Sequence, residues 1–403
     1  MADAALIDYV HRIAPVALRK SSSNVKREFG KSHSAQAGEI WRLRRSFGQL
    51  TPKEYYYFGL YDDERFSYEE KARFIGAGVQ SHILWRCTDS RWWAIALDKV
   101  AFATFMSSYG FRVLDTQATL HPYRHLTSAA VLRTLEDAAH FLRHRARYPL
   151  FSKPFDGMRS VGSARIDGYD SAADELIIHP DRRVRVDDYL AVVTPYMQGG
   201  YLFQSVQHPH ADVRARCGDR LACVRFVVIM GPDGPEPFRA VWKIPAGPNV
   251  ADNFWRTGNL LAGIDLATGR VTRVMRGVGT EREEVSVHPD TGVSLTNAEV
   301  PDWEALKSLC LDAASTIPGI TLQGWDIAPS DHGPVLVEVN VGGDFTLPQL
   351  GTGTGMLDDR FRKYLDEHSF QPMAMPPWGF HVWASARSRI ATALKRRKIA
   401  AGR

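Results

Sequence analysis

The texture of this chain changes at Leu150. Before it, apolar residues recur mostly at helical spacing. From Leu150 to Asn340 short β runs dominate, punctuated by Gly and Pro turns. Strand-rich stretches with a few helices predict an α+β fold rather than a doubly wound parallel sheet. A length of 403 residues predicts two or three domains and a sizeable core. With 44% hydrophobic and 24% charged residues, disorder, collagen-like repeats and disulfide scaffolds are poor readings.

The front half punctuates itself. Residues 4–19 predict an amphipathic helix, ended by a polar break at Ser21–Asn24, and residues 36–78 read as mostly helical with a new start at Thr51-Pro52. Asp98 is expected to cap a helix from Lys99 to about Tyr109, with Phe111–Leu114 a short strand after it. Ser128 is expected to cap a longer helix to about Ala146. Further helices are expected over Val186–Tyr196 and Trp303–Thr316.

Charge is informative through its distribution. The net +5 is too small over this length to argue for a nucleic-acid partner. From His368 to Arg403 there is no acidic residue and a charge of +7, which leaves −2 for residues 1–367. That aromatic and basic tail reads as a solvated helix, with weak contact to an anionic membrane surface as the alternative. Four scattered cysteines fit a reducing compartment, and no stretch approaches ~18 apolar residues, so a cytoplasmic protein is expected.

The sharpest constellation is Gly324-Trp325-Asp326-Ile327 followed by Val335-Leu336-Val337-Glu338-Val339-Asn340. Two β runs flank Ser330-Asp331-His332-Gly333, which is turn chemistry. A hairpin centred on residue 332 sets Asp326 opposite Glu338, with Asn340 on the same face and Val335, Val337 and Val339 on the other. Carboxylates held this close repel each other unless a cation lies between them, and hard oxygen ligands suit Mg²⁺. A solvated hairpin face is the alternative.

Two further features call for an anion. Lys153 ends a strand and is followed by Gly157 and Gly162, a pattern suited to a loop over phosphates, although taken alone it reads first as a plain turn. Arg225 lies inside the apolar run Leu221–Met230, where an unpaired guanidinium is costly; it must meet a carboxylate or a bound anion. Lys243 poses the same question in the next strand. The chain has no Gly-x-Ser-x-Gly elbow and no clustered His and Cys, so nucleophilic hydrolysis and zinc chemistry lack support.

In order, these pieces resemble the ATP-grasp superfamily, and within it the branch described as sugar-transfer-associated. The tokens that carry the likeness are Gln207-His208-Pro209, Asp252-Asn253-Phe254, Ala262-Gly263-Ile264-Asp265, His288-Pro289-Asp290-Thr291-Gly292, Gly324-Trp325-Asp326 and Glu338-Val339-Asn340. The resemblance covers roughly residues 98–350. The resemblance implies two α+β subdomains clamping a nucleotide, at 96–200 and 201–367, after a helical region 1–95 and before a tail 368–403. It implies that Lys99 and Lys153 contact ATP, with Gly157 and Gly162 in a covering loop. Backbone at Ser205-Val206 would read the adenine, with Gln204 standing where many relatives have Glu, and His208 belongs to the same nucleotide set. Arg225, Lys243 and Asn253 would face the phosphates or an acyl phosphate. Asp326, Glu338 and Asn340 would hold one or two Mg²⁺, or Mn²⁺.

The implied activity is an ATP-dependent, ADP-forming ligase that activates a small-molecule carboxylate for attack by an amine. A phosphotransferase acting on a hydroxyl or sugar, and a non-catalytic nucleotide-binding module, are the competing readings.

Overall fold

Residues 15–157 and 161–372 are described by a computed structural model of the chain. Seven helices come first: α1 (Leu18–Phe29), α2 (His33–Arg45), α3 (Pro52–Tyr57), α4 (Tyr68–Ala72), α5 (Ala77–Cys87), α6 (Trp93–Leu97) and α7 (Lys99–Ser108). The expected break at Ser21–Asn24 is absent. Helix α1 runs through it because Ser21 and Val25, one turn apart, are both buried, and packing overrides the weak helix preference of serine. Residues 4–14 of the expected first helix lie outside the described residues. The start at Thr51-Pro52 is a complete capping box with Glu54, and the Asp98 side chain caps α7 by accepting from the Ala101 N–H.

A first group of strands follows: β1 (Thr116–Leu120), β2 (Ala130–Leu132), β3 (Leu150–Pro154), β4 (Ala164–Asp170), β5 (Glu175–Ile178), β6 (Arg182–Arg185) and β7 (Tyr201–Ser205), with helices α8 (Leu135–His144) and α9 (Val186–Val193) among them. Phe111–Leu114 is not a strand; Val113 makes one isolated bridge to Leu336. Nor does Ser128 cap a helix. Residues 130–132 pair in parallel with β1, and Thr134 forms the capping box that opens α8. The strand order is β2-β1-β7-β3-β4-β5-β6. Strand β7, which follows the expected division between residues 200 and 201, is therefore central to this sheet.

The second group comprises α10 (Ala211–Cys217), β8 (Val224–Gly231), β9 (Gly234–Ile244), β10 (Leu260–Ile264), β11 (Val271–Arg276), β12 (Glu283–Glu284), α11 (Trp303–Ser315), β13 (Leu322–Ser330), β14 (Gly333–Val341), α12 (Thr346–Thr352) and α13 (Asp359–Glu367). Its sheet has the order β12-β11-β10-β9-β8-β13-β14. The fold is thus mixed α+β with two seven-stranded sheets behind a helical front, and residues up to Phe370 form one compact unit.

Alternation along the strands decides what each face does. In the second sheet Phe226, Ala240, Trp242, Ala262, Trp325 and Ile327 share one core with Leu306 and Cys310 of α11. On the opposite face Val227, Ile229, Val241, Leu261 and Met275 pack beneath the N-terminal helices through residues such as Tyr55, Phe58, Ile75 and Ile83. Part of that face is left uncovered, and Arg225, Lys243 and Asp326 point from it. The first sheet is built the same way: Leu150, Tyr201 and Phe203 pack on α8 and α9, while Phe151, Lys153 and Gln204 belong to the other face.

Candidate functional site

The two open faces enclose one cavity of about 740 Å³. Lys99, Lys153, Gly157, Gln204, Ser205 and Val206 line it from the first sheet and α7. Arg225, Lys243, Asn253, Asp326, Glu338 and Asn340 line it from the second sheet and its loops. Gly162 and His208 are not in the wall. Gly162 sits against Tyr196, its carbonyl accepting from the Tyr201 hydroxyl, and His208 pairs through Nδ1 with Asp219 at 3.1 Å.

The hairpin register sets Asp326 opposite Glu338 and Gly324 opposite Asn340. The turn pairs Ser330 with Gly333, which alone would set Asp326 opposite Val337. A one-residue bulge at Val337 shifts the pairing onto Glu338. The bulge also splits the expected valine stripe: Val339 joins Leu336 in the main core, while Val335 and Val337 belong with Cys223 and Ala328 at the cavity side.

Asp326 also lies directly opposite Arg225 on β8. The guanidinium holds both carboxylate oxygens, Nε to Oδ1 at 2.6 Å and Nη2 to Oδ2 at 2.8 Å, and Lys243 Nζ reaches Oδ2 at 2.9 Å. Asp252 adds a longer contact to Lys243, 3.4 Å, while accepting from the Cys223 N–H. Burial opposes the charge on Asp326, but Arg225 and Lys243 outweigh it and hold its carboxyl well below the usual carboxylate range. Burial likewise opposes the charge on Lys243, and Asp252 and Asp326 override it and raise its pKa.

This arrangement changes the reading of the metal triad. Both oxygens of Asp326 are already engaged by cations, so of the three expected donors Glu338 and Asn340 are the two without such a partner, with Asn340 Nδ2 3.4 Å from Glu338 Oε1. Among the described residues no group of three His, Cys, Asp or Glu side chains is placed to hold a metal ion.

Lys153 has no ion-pair partner among the described residues. Burial, reinforced by repulsion from Lys99, pulls its pKa down to about 8. Lys99 itself donates to the Gly157 carbonyl at 2.8 Å, tethering the start of the glycine loop. Met158, Arg159 and Ser160 of that loop lie outside the described residues, as does the basic tail beyond Pro372.

The backbone expected to read a base is not available as a donor. Ser205 N–H donates to the Asp115 carbonyl and Val206 N–H to that of Pro149. Gln204 offers something else: its Nε2 donates to Thr116 Oγ1 at 3.0 Å, while its buried Oε1 has no partner.

Sequence reasoning missed Asp344 and the apolar side chains Leu84, Trp93 and Leu97, all in the same wall. No motif marks them.

Residues 197–363 match the family described as sugar-transfer associated ATP-grasp, so the likeness read from the residue tokens holds over a span that takes in all of the second sheet. No curated protein matches the chain. Solved structures similar to it include the D-alanine–D-alanine ligase of Bacillus anthracis, at 13% identity over 75% of this chain and 76% of that one, with a TM-score of 0.39. Another is the biotin carboxylase of Campylobacter jejuni, at 10% identity over 75% of this chain and 55% of that one, TM-score 0.42. A third is the biotin carboxylase domain of the Hydrogenobacter thermophilus 2-oxoglutarate carboxylase with MgADP, ADP and bicarbonate. There the identity is 12% over 70% of this chain and 47% of that one, TM-score 0.37. The chain thus spans about half the length of that last relative.

Among the described residues no helix is long and apolar enough to cross a membrane.

Proposed function

We propose that this cavity binds ATP and that the chain is an ADP-forming ligase joining a small-molecule carboxylate to an amine. The observation that carries the reading is the single cavity bounded by Lys99 and Lys153 on one sheet and by Arg225, Lys243, Glu338 and Asn340 on the other. A triphosphate needs cations on both sides. Lys153, whose ammonium has no ion-pair partner among the described residues, is the one most improved by an anion. Gln204 Oε1 would accept from the adenine amino group. Lys99 would hold the glycine loop against the phosphates through Gly157.

The residues fit a hard cation such as Mg²⁺, held by Glu338 and Asn340, and a bound Mg²⁺ would supply neutralisation of phosphate charge. The chain's own part is positioning and charge. A carboxylate oxygen of the substrate attacks the γ-phosphorus, the bond to the β-phosphate oxygen breaks, and ADP leaves with its electron pair. The amine then attacks the acyl carbon, phosphate departs, and the amine loses a proton. Arg225 and Lys243, fixed side by side by Asp326, present positive charge where the acyl phosphate would form. Asn253 would contribute its side chain beside them. No protein nucleophile is needed.

The test is a screen of the purified chain with Mg·ATP against pooled carboxylates and amines. Release of ADP and phosphate that requires both pools is the expected result. A stable phosphorylated product that needs no amine would replace this reading with phosphoryl transfer to a hydroxyl. ATP binding without turnover in any pool would leave a nucleotide-binding module.

A further inference from the structure

The cavity lies within the ~300–1,000 Å³ of pockets that hold a drug-sized molecule, and its wall combines polar groups with an apolar remainder. The remainder includes Leu84 from α5 and Trp93 and Leu97 from α6, which packs on β14. Leu97 is 58% exposed, and the Trp93 ring lies 4.5 Å from that of Trp85, itself 65% exposed. Apolar groups left in water beside a polar site gain by covering apolar surface on a ligand.

At the same place stands Asp344. Gly342, Gly343 and Asp344 are three successive left-handed residues, φ +79°, +72° and +47°. The two glycines are required there. A Cβ on Gly343 would meet Val227 at 3.0 Å, and one on Gly342 would meet Leu84 at 3.0 Å. A non-glycine residue held at positive φ is strained, and such residues persist where the surroundings fix them. This turn delivers the Asp344 carboxylate to the cavity wall.

Charge pairing singles it out. Of the half-buried or buried carboxylates in the wall, Asp326 meets Arg225 and Lys243, Asp252 meets Lys243, and Asp219 meets Arg214. Glu338 and Asp344 have no cation within ion-pair distance among the described residues. Glu338 belongs to the donor pair with Asn340. Among the described residues Asp344 accepts only from the Thr346 N–H, at 3.2 Å, a contact within its own turn. A metal ion needs several hard donors and keeps water, which Leu84 and Trp93 do not favour. An organic ammonium with an apolar body suits both halves of the subsite.

Resting on the ligase reading, we infer that Asp344 binds the ammonium of the acceptor, and that the acceptor is a primary amine with an apolar or aromatic body seated on Leu84, Trp93 and Leu97. Calorimetry of the full chain with 2-phenylethylamine and with ethanolamine tests it. The aromatic amine should bind about tenfold or more tighter. Asp344→Asn should weaken both by roughly 10- to 100-fold, and Leu97→Ser, at an exposed position, should shrink the preference toward one. Equal binding of the two amines, or an Asp344→Asn variant that binds them as the wild type does, overturns the proposal. A second arm keeps its failure apart from that of the ligase reading. With Mg·ATP, pooled carboxylates and hydroxylamine, which is largely uncharged at neutral pH, the wild type should form hydroxamate and ADP. Asp344→Asn should lose at least about tenfold less in this reaction than with the two amines. Hydroxamate formation with no amine preference overturns the acceptor site alone, whereas no ADP with hydroxylamine overturns the ligase reading beneath it.

Discussion

Arg225 and Asp326 stand opposite each other on neighbouring strands, and the guanidinium closes on both oxygens of the carboxylate in a buried two-pronged contact. Lys243 completes the group. One anion thus organises two cations at the cavity wall.

Removing that anion leaves two buried cations with less compensation. Asp326→Asn should destabilise the chain by about 3–5 kcal/mol, measured by urea unfolding. Because the folded carboxyl titrates below its unfolded value, this stabilisation is present above about pH 4 and fades as pH falls through the folded value. A variant as stable as the wild type would show that the group carries little net energy.

Lys153 makes nucleotide affinity depend on pH. Its pKa is near 8 in the free protein, and a bound phosphate would raise it. Below pH 8 the ammonium is already charged and binding takes up no proton. Above it, binding must recharge the group, so ATP affinity should fall toward tenfold per pH unit until the bound-state value is reached. Lys153→Met should bind more weakly and lose this slope. Titrations at pH 7, 8 and 9 decide the matter.

Glu338→Gln keeps the size of the side chain and removes the charge. Mg-dependent ATP turnover should drop by about 100-fold or more while the thermal midpoint stays near that of the wild type. An active variant with ordinary Mg dependence would remove Glu338 from the donor set.

Gln204 should matter for the base rather than for the phosphates. Its open Oε1 favours an exocyclic amine and disfavours the carbonyl that guanine presents there. Gln204→Leu should reduce the preference for ATP over GTP by about tenfold, read from competition binding. An unchanged ratio would place the base elsewhere.

Much of this site was legible because its chemistry is local. The hairpin that brings Asp326 near Glu338 follows from turn residues and alternation, and the Asp98 cap and α11 follow from spacing. What escaped prediction is long-range. Nothing near Val337 announces the bulge that makes the pairing correct. Nothing near Ser21 reveals that its side chain is buried, and a three-residue strand at 130–132 exists only because β1 lies beside it. The engagement of Asp326 by Arg225 depends on residues 101 positions apart. Asp344, Leu84 and Trp93 belong to the wall through a turn and two helices that meet only in the folded chain.

The helical front has a consequence for how the chain is made. Tyr55, Tyr56, Phe58 and Leu60 find their apolar partners in Val241, Leu261 and Met275, and Ile75, Val79 and Ile83 find theirs in Val227, Phe238 and Phe345. During synthesis at about 5–20 residues per second, those helices leave the ribosome on the order of ten seconds or more before the sheet that covers them. Their aromatic faces are exposed for that interval. Residues 15–95 therefore dock only after the strands that cover them, although they precede those strands in the chain, and a fragment ending before β8 would carry a sticky surface with nothing to bury it.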